Sequence, residues 1–350
     1  MVLYNIPMMK PIKQCTLAEI SDLVKEAGFP AFRAKQLLEW LYRRNIRSYD
    51  DISNLPKPLI DFLKAEYPLH TADIVNRQES IDGTRKYLLK LIDGNLVETV
   101  AIPSTSGRQR LTVCFSTQVG CPMMCAFCAT GHEGFTRNLG MGEIIDQVHA
   151  VSEDFGERVT NLVGMGQGEP FLNYRMTFDA LSILNNEKFD NIGARHITVS
   201  TCGVLPGIDL LAKDEHQYTM AVSLHSAVQK TRNELMPIVA RYPLEELRSH
   251  IQAYTAKTNR RVTFEYLLIK DINDTDIHLK KLIVYCQNVL CHVNLLPMNA
   301  VSSSPYQPSD ESTVRKWMDA LTRNGIETSI RMSRGADIDG ACGQLKNAMS

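Results

Sequence analysis

The sequence predicts an α/β protein: an N-terminal helical accessory domain over residues 1–70, a small antiparallel β linker over 71–106, and a parallel-sheet core over 107–350. Three observations predict it. From about residue 110, strand-like apolar runs alternate with helical stretches, the pattern of a parallel sheet wound open or closed into a barrel. Before that, Asp82-Gly83 and Asp93-Gly94 mark tight turns between three short runs. Ahead of those lies a helix-capping signature followed by an apolar helical stripe.

Taken from the start, Thr16-Leu17-Ala18-Glu19 places Thr16 at an N-cap with Glu19 three residues on. Gly28 ends that helix, and Pro30 opens the next, whose stripe is Phe32, Leu37, Leu38, Leu41 and Tyr42. A third helix runs from Lys57 to Glu66 and closes a module at about residues 14–68. Runs 73–80, 85–92 and 96–102 read as an antiparallel meander. Candidate strands of the core are Thr112–Thr117, Asn161–Gln167, His196–Thr201, Tyr218–Leu224, Arg261–Leu268, Val293–Leu296 and Glu327–Met332. Helical patterns between them cover Gly142–Phe155, Tyr174–Asn185, Leu244–Lys257, Asp276–Gln287 and Glu311–Asn324. About six strand–helix units result, short of the eight of a complete TIM barrel. The serine- and proline-rich stretch Ala300–Pro308 reads as a mobile loop.

The chain has 350 residues, 44% of them hydrophobic, which suits one large domain or a large one with a small one. A net charge of −1 excludes a basic nucleic-acid coat, so any such contact has to come from a local patch. Arg33, Lys35, Arg43, Arg44 and Arg47, with Trp40 and Tyr42 among them, make one: cations for phosphate, aromatics for base stacking. The plainer reading is a solvated helix face, and for Trp40 a place in the core is preferred. No apolar stretch approaches the ~20 residues that span a bilayer. Met1–Ile12 is too short and irregular for a signal peptide. Nine cysteines, an odd number, argue against a disulfide framework and for a reducing cytoplasm.

Three of those cysteines stand together in Cys121-Pro122-Met123-Met124-Cys125-Ala126-Phe127-Cys128. Three thiolates on one tight loop can hold three irons of a [4Fe–4S] cluster and leave the fourth free for a ligand. The competing reading is zinc, but structural zinc takes four protein ligands, commonly in two pairs, and no second Cys/His pair is apparent. In parallel α/β folds ligands bind at the carboxyl ends of strands. The triplet follows the first core strand, Gly166-Gln167-Gly168-Glu169 the second, Ser200 closes the third, Ser223-Leu224-His225 the fourth, and Asn299 follows the sixth. Glu169 is a charged partner for a ligand ammonium group, while Ser200 and Asn299 offer hydrogen bonds. Each of these singly is also an ordinary turn former, and His225 an ordinary core histidine.

Cys202, Cys286, Cys291 and Cys15 read as small buried apolar residues. Cys342, between glycines in a polar segment, reads instead as an exposed nucleophile, and Cys114 sits on the first core strand. Glu98, alone among the apolar residues of Leu96–Val100, either faces water or serves as a buried general base.

Together these residues resemble the radical S-adenosylmethionine (SAM) enzymes, and within them the RlmN/Cfr family of RNA adenine methyltransferases. The marks are Ser116-Thr117-Gln118-Val119-Gly120-Cys121 running into the triplet, Gly134-Phe135-Thr136-Arg137-Asn138-Leu139, Gly166-Gln167-Gly168-Glu169-Pro170, Ser223-Leu224-His225 and Leu235-Met236-Pro237. The most specific is Asp337-Ile338-Asp339-Gly340-Ala341-Cys342-Gly343-Gln344-Leu345. Gln167 stands where methionine is usual, and Gly340 where alanine is.

The resemblance covers nearly the whole chain and implies a partial (β/α)6 TIM-like radical-SAM barrel. It implies that Cys121, Cys125 and Cys128 ligate the [4Fe–4S] cluster and that SAM chelates the open iron. Gly168, Glu169, Ser200, Ser223, Leu224, His225 and Asn299 would line the SAM pocket. One SAM would methylate Cys342, and a second would yield a 5′-deoxyadenosyl radical that takes a hydrogen from that methyl. The carbon radical adds to adenine, and Cys114 then forms a transient disulfide with Cys342 that releases the product. Glu98 matches the proton acceptor. The implied substrate is carbon 2 of an adenine in 23S rRNA, and also an adenine in tRNA. The implied electron donor is a flavodoxin or ferredoxin, and nothing demands more than a monomer. The sister reading is carbon 8, as in Cfr; Phe29-Pro30-Ala31-Phe32-Arg33-Ala34-Lys35-Gln36 looks more like the carbon-2 branch. A non-catalytic iron–sulfur or zinc RNA-binding protein would give no reason for Cys114 and Cys342.

Overall fold

The computed structural model describes residues 9–104, 110–299 and 305–347. The helical module is built as its caps require. In front of helix Leu17–Glu26, Thr16 Oγ1 accepts the Glu19 N–H at 3.2 Å and Glu19 Oε2 accepts the Thr16 N–H at 2.6 Å. Gly28 follows at φ +83°, a conformation that disfavours a side chain. The second helix, Phe32–Leu38, starts two residues later than expected; Pro30 lies ahead of it and its carbonyl accepts the Arg33 N–H at 2.9 Å. Leu37, Leu38, Leu41 and Tyr42 are buried, whereas Phe32 is 53% exposed. Trp40 is in the core, its Nε1 donating to Asn54 Oδ1 at 2.6 Å. The third helix is Lys57–Glu66.

Lys13 pins this module to the rest of the chain. It is fully buried, with its ammonium 2.7 Å from Asp146 Oδ1 and 3.1 Å from His149 Nδ1, both on helix Met141–Phe155. Asp146 Oδ2 accepts the N–H and hydroxyl of Thr71 at 2.7 and 2.6 Å. Breaking a buried pair of this kind costs about 3–5 kcal/mol, because a carboxylate is left uncompensated.

The strands are β1 (Ala72–Glu79), β2 (Arg85–Leu91), β3 (Leu96–Pro103), β4 (Leu111–Cys114), β5 (Gln118–Gly120), β6 (Phe135–Asn138), β7 (Asn161–Gly164), β8 (Ile197–Thr201), β9 (Thr219–Ser223), β10 (Val262–Leu268), β11 (Cys291–Pro297) and β12 (Glu327–Ile330). Ten of them form one sheet in the order β1-β2-β3-β4-β7-β8-β9-β10-β11-β12. β1 to β4 run antiparallel, and β4 onward every pair is parallel. Six strand–helix units and a closing strand result, with β12 and β1 as the two edges, so the barrel is partial.

The meander is more than a linker. β3 pairs with β4 from Val100↔Cys114 to Pro103↔Leu111, which makes it a continuation of the barrel sheet. Leu88, Leu89, Val97, Val100 and Ala101 are buried accordingly. Expected strands overrun at their ends where backbone turns to serve loops: Ser116 N–H donates to Gln147 Oε1 at 2.8 Å and Thr117 N–H to the Gln167 carbonyl at 2.8 Å. Short elements went unforeseen, namely the β5–β6 ribbon and helices Ala129–Glu133, Leu205–Leu211 and Gln229–Leu235, each too brief for periodicity to register. Most of the expected Ala300–Pro308 loop lies outside the described residues. No helix among the described residues is long and apolar enough to cross a membrane.

Candidate active site

The cysteine loop hangs between β5 and helix Ala129–Glu133. It is held by backbone: Cys121 N–H donates to the Gly134 carbonyl at 2.7 Å, Ala126 N–H to that of Leu235 at 2.9 Å, and Ala129 N–H to that of Gly343 at 2.8 Å. Cys121, Cys125 and Cys128 line one wall of a cavity of about 150 Å³. Gly168, Glu169, Ser200, Ser223, His225 and Asn299 line the others, at the carboxyl ends of their strands. Six of the seven residues expected around SAM therefore meet the triplet.

Leu224 is the exception. Its side chain is fully buried in the hydrophobic core and lines neither this cavity nor the next. It acts through backbone, donating its N–H to the Glu265 carbonyl at 3.0 Å and accepting from Arg232 Nη1 at 2.9 Å.

Each wall has a physical reason. Gly168 sits at φ +100°, and a Cβ there would fall 2.6 Å from Gln118 Cβ, so only glycine leaves the turn open. Glu169 is buried; its Oε1 accepts the Phe171 N–H at 3.1 Å and its Oε2 the Cys202 N–H at 2.7 Å. Burial raises its pKa, against those hydrogen bonds. Ser200 and Ser223 hydroxyls lie 3.5 Å apart. His225 Nδ1 accepts the Leu267 N–H at 3.0 Å, which assigns the ring proton to Nε2. Its ring meets Phe127 edge-on at 4.8 Å. Burial, and secondarily the Arg232 charge, push His225 down to about 3, so it is neutral.

The donor set fits a [4Fe–4S] cluster with SAM: three thiols line a cavity whose other walls, hydroxyls, an amide and a glycine turn, suit a polar ligand.

A second cavity, of about 550 Å³, opens beside the first and shares Cys128, Glu265, Asn299, Arg331 and Cys342 with it. Cys114 lines it from the end of β4. Cys114 is buried and Cys342 exposed, and both are free thiols. Burial, with the Cys342 charge next, pushes Cys114 up to about 12, and Arg331 opposes the shift. The C-terminal segment is strapped across the sheet: Ser80 Oγ donates to Asp337 Oδ1 at 2.6 Å, Asn299 Nδ2 to the Cys342 carbonyl at 3.2 Å, and Thr130 Oγ1 to the Leu345 carbonyl at 2.7 Å.

Glu98 is buried under that strap and lines neither cavity. Its Oε2 accepts the Lys346 N–H at 2.8 Å and Lys86 Nζ lies 3.3 Å from Oε1. Burial pushes Glu98 up to about 7, with Lys86 opposing.

Three residues of the site escaped sequence reasoning. Cys202 is not merely a packed thiol: it lines the triplet cavity. Glu265 and Arg331 face both cavities. Glu265 carried a usable signal, a lone carboxylate in the apolar run Val262–Leu268. On the helical module, Arg44 stacks on Trp40 at 4.2 Å and Arg33 on exposed Phe32 at 4.6 Å. Trp40 and Tyr42 are buried, so Phe32 replaces them as an aromatic available to a partner.

Residues 115–283 match the model of the radical SAM superfamily, and residues 12–67 that of the ribosomal RNA large subunit methyltransferase N-terminal domain. A protein of Clostridium novyi named "Probable dual-specificity RNA methyltransferase RlmN" is 41% identical over 339 residues, covering 97% of this chain and 98% of the relative. A protein of the same name from Clostridioides difficile is 44% identical, covering 96% of this chain and 97% of the relative. The crystal structure of a radical SAM methyltransferase from Sphaerobacter thermophilus superposes with a TM-score of 0.92 at 41% identity, over 97% of this chain and all of that one.

Proposed function

Because this chain belongs to the RlmN family of radical-SAM RNA methyltransferases, we propose that it methylates carbon 2 of an adenine in 23S rRNA, and of an adenine in tRNA as well. The observation that carries this reading is the pair of adjoining cavities: the triplet lines one, Cys114 the other, and Cys342 belongs to both.

Bound in the first cavity, a [4Fe–4S] cluster and SAM supply the methyl group and the one-electron chemistry that an unreactive ring carbon needs. Cys121, Cys125 and Cys128 would hold the cluster. The glycine turn at Gly168, Glu169, the paired hydroxyls of Ser200 and Ser223, the Nε2–H of neutral His225 and Asn299 would orient SAM. Cys342 takes the methyl carbon on its sulfur. Once that carbon is bonded to the base and the adduct has lost an electron and the ring proton, the Cys114 thiolate attacks the Cys342 sulfur. The carbon–sulfur bond breaks, the released carbon takes up a proton to become the product methyl, and the disulfide left behind is reopened by an external reductant. The adenine has to leave its stack to reach a site this enclosed. A flavodoxin- or ferredoxin-type donor, a monomeric state and a cytoplasmic setting complete the proposal.

The direct test is anaerobic reconstitution with iron, sulfide, SAM, reductant and a 23S rRNA fragment, followed by mass spectrometry of the nucleosides. 2-Methyladenosine is expected. 8-Methyladenosine would move the chain to the Cfr reaction, and no methylated adenosine would remove the reading.

Glu98 gives a pH prediction. Glu98 lines neither cavity, so as proton acceptor it receives the proton through an intervening group or water. It must be ionised to do so, and kcat/KM should rise through pH 7 and level off above it, with Glu98→Gln slow and flat across that range. Stability has the opposite slope. The folded pKa, about 7, exceeds the ordinary 4.5, so the folded state holds its proton longer and stability is lost as pH rises from about 4.5 to 7. Urea unfolding should show about 3 kcal/mol of that loss, absent in Glu98→Gln.

A further inference from the structure

Glu265 sits mid-strand in β10, between Phe264 and Tyr266, both fully buried. It is itself 4% exposed. Its carboxylate is unequally used. Oε1 accepts Asn294 Nδ2 at 2.9 Å. Oε2 is buried without a hydrogen-bond partner among the described residues; Arg331 Nη1 stands 3.9 Å away, beyond hydrogen-bond reach. Glu265 lines both cavities together with Cys342. Oε2 belongs to a side chain that lines both cavities, and a buried acceptor without a donor is costly unless a ligand supplies one. The other carboxylates of the site are differently placed: Glu169 has both oxygens bonded, and Glu98 lies under the C-terminal strap.

We propose that Glu265 reads the target base, its Oε2 accepting a hydrogen bond from the exocyclic amino group of the adenine that enters beside Cys342. This rests on the adenine reading above and names the group that selects the base. Adenine carries its amino donor on the carbon next to N1, and carbon 2 lies on the other side of N1. A hydrogen bond to the amino group therefore turns this edge of the ring, carbon 2 included, toward the wall that Glu265 and Cys342 share. Guanine would bring a carbonyl oxygen to the same place, acceptor against acceptor, and be rejected.

The test uses reconstituted holoenzyme and two RNA fragments, one with adenine and one with unsubstituted purine at the target position. Wild type should lose about ten- to a hundredfold in kcat/KM on the purine RNA. Glu265→Leu should lose a similar factor on adenine RNA and treat the two RNAs alike. Glu265→Gln keeps an acceptor oxygen and should keep most of the preference. SAM affinity and iron content should stay at wild-type values in both variants. Equal wild-type rates on the two RNAs would overturn the proposal. So would a Glu265→Leu protein that binds SAM tenfold more weakly yet retains the adenine preference, since the carboxylate would then serve the cofactor. A wild type that forms no methyladenosine on adenine RNA would overturn the underlying reading, and this proposal with it.

Discussion

Cys114→Ala is expected to stop the enzyme with RNA attached to it, through the carbon that bridges Cys342 and the base. Cys342→Ala is expected to yield neither methylated RNA nor an adduct. The two differ because the proposed reaction gives the two sulfurs different work. Cys342 is exposed, on the strap that crosses both cavities, where it can receive a carbon and present it. Cys114 is buried at the end of β4, and in the proposed reaction it attacks the Cys342 sulfur from there. Without it the carbon–sulfur bond has no partner to replace it. Multiple-turnover product should fall at least a hundredfold in both variants. Denaturing electrophoresis should show a protein–RNA band in Cys114→Ala alone. Iron content should be unchanged, because neither cysteine belongs to the triplet. Removing one sulfur from Cys114 costs about 1–2 kcal/mol of packing, too little to unfold the protein. A Cys114→Ala protein that turns over normally would end the disulfide step.

Much of this site was legible in the chain because strand–helix alternation fixes which end of each element faces a ligand. Gly168, Ser200, Ser223, His225 and Asn299 each lie at or just beyond the carboxyl end of a strand, so their convergence on the triplet needed only the topology. Leu224 is placed apart because adjacency in sequence is not adjacency in a cavity: between Ser223 and His225 the backbone turns its side chain into the core. Glu98 stands as a lone carboxylate in an apolar strand, a signal visible locally, but the strap over it is a contact with Lys346 that no local pattern encodes. Glu265 shows the same local signal and was passed over, since only the fold reveals that its strand faces both cavities. The meander was found as strands, while its membership in the barrel sheet depends on the Val100↔Cys114 pairing, a long-range register.

Gly120→Ala should be strongly damaging although Gly120 takes no part in the reaction. Gly120 ends β5, immediately before the first cysteine, at φ +72°. An added Cβ would stand 2.0 Å from the Gly134 carbonyl oxygen, which is the acceptor for the Cys121 N–H. A methyl group therefore meets backbone rather than a flexible side chain, and the positive φ adds strain of its own. The loop has to shift, and Cys121 with it. The expected result is a loss of about 3 kcal/mol or more in stability and a large fall in iron bound after reconstitution. Gly83→Ala separates the two causes. That residue is also in the left-handed region, at φ +82°, but its Cβ would approach only Pro103 Cγ, at 3.4 Å. It should cost about 1 kcal/mol and leave iron loading intact. Comparing the variants by urea unfolding and iron analysis isolates the contact with Gly134. If Gly120→Ala loaded iron like Gly83→Ala, the position of Cys121 would not depend on the β5–β6 ribbon, and the triplet would be set by the loop alone.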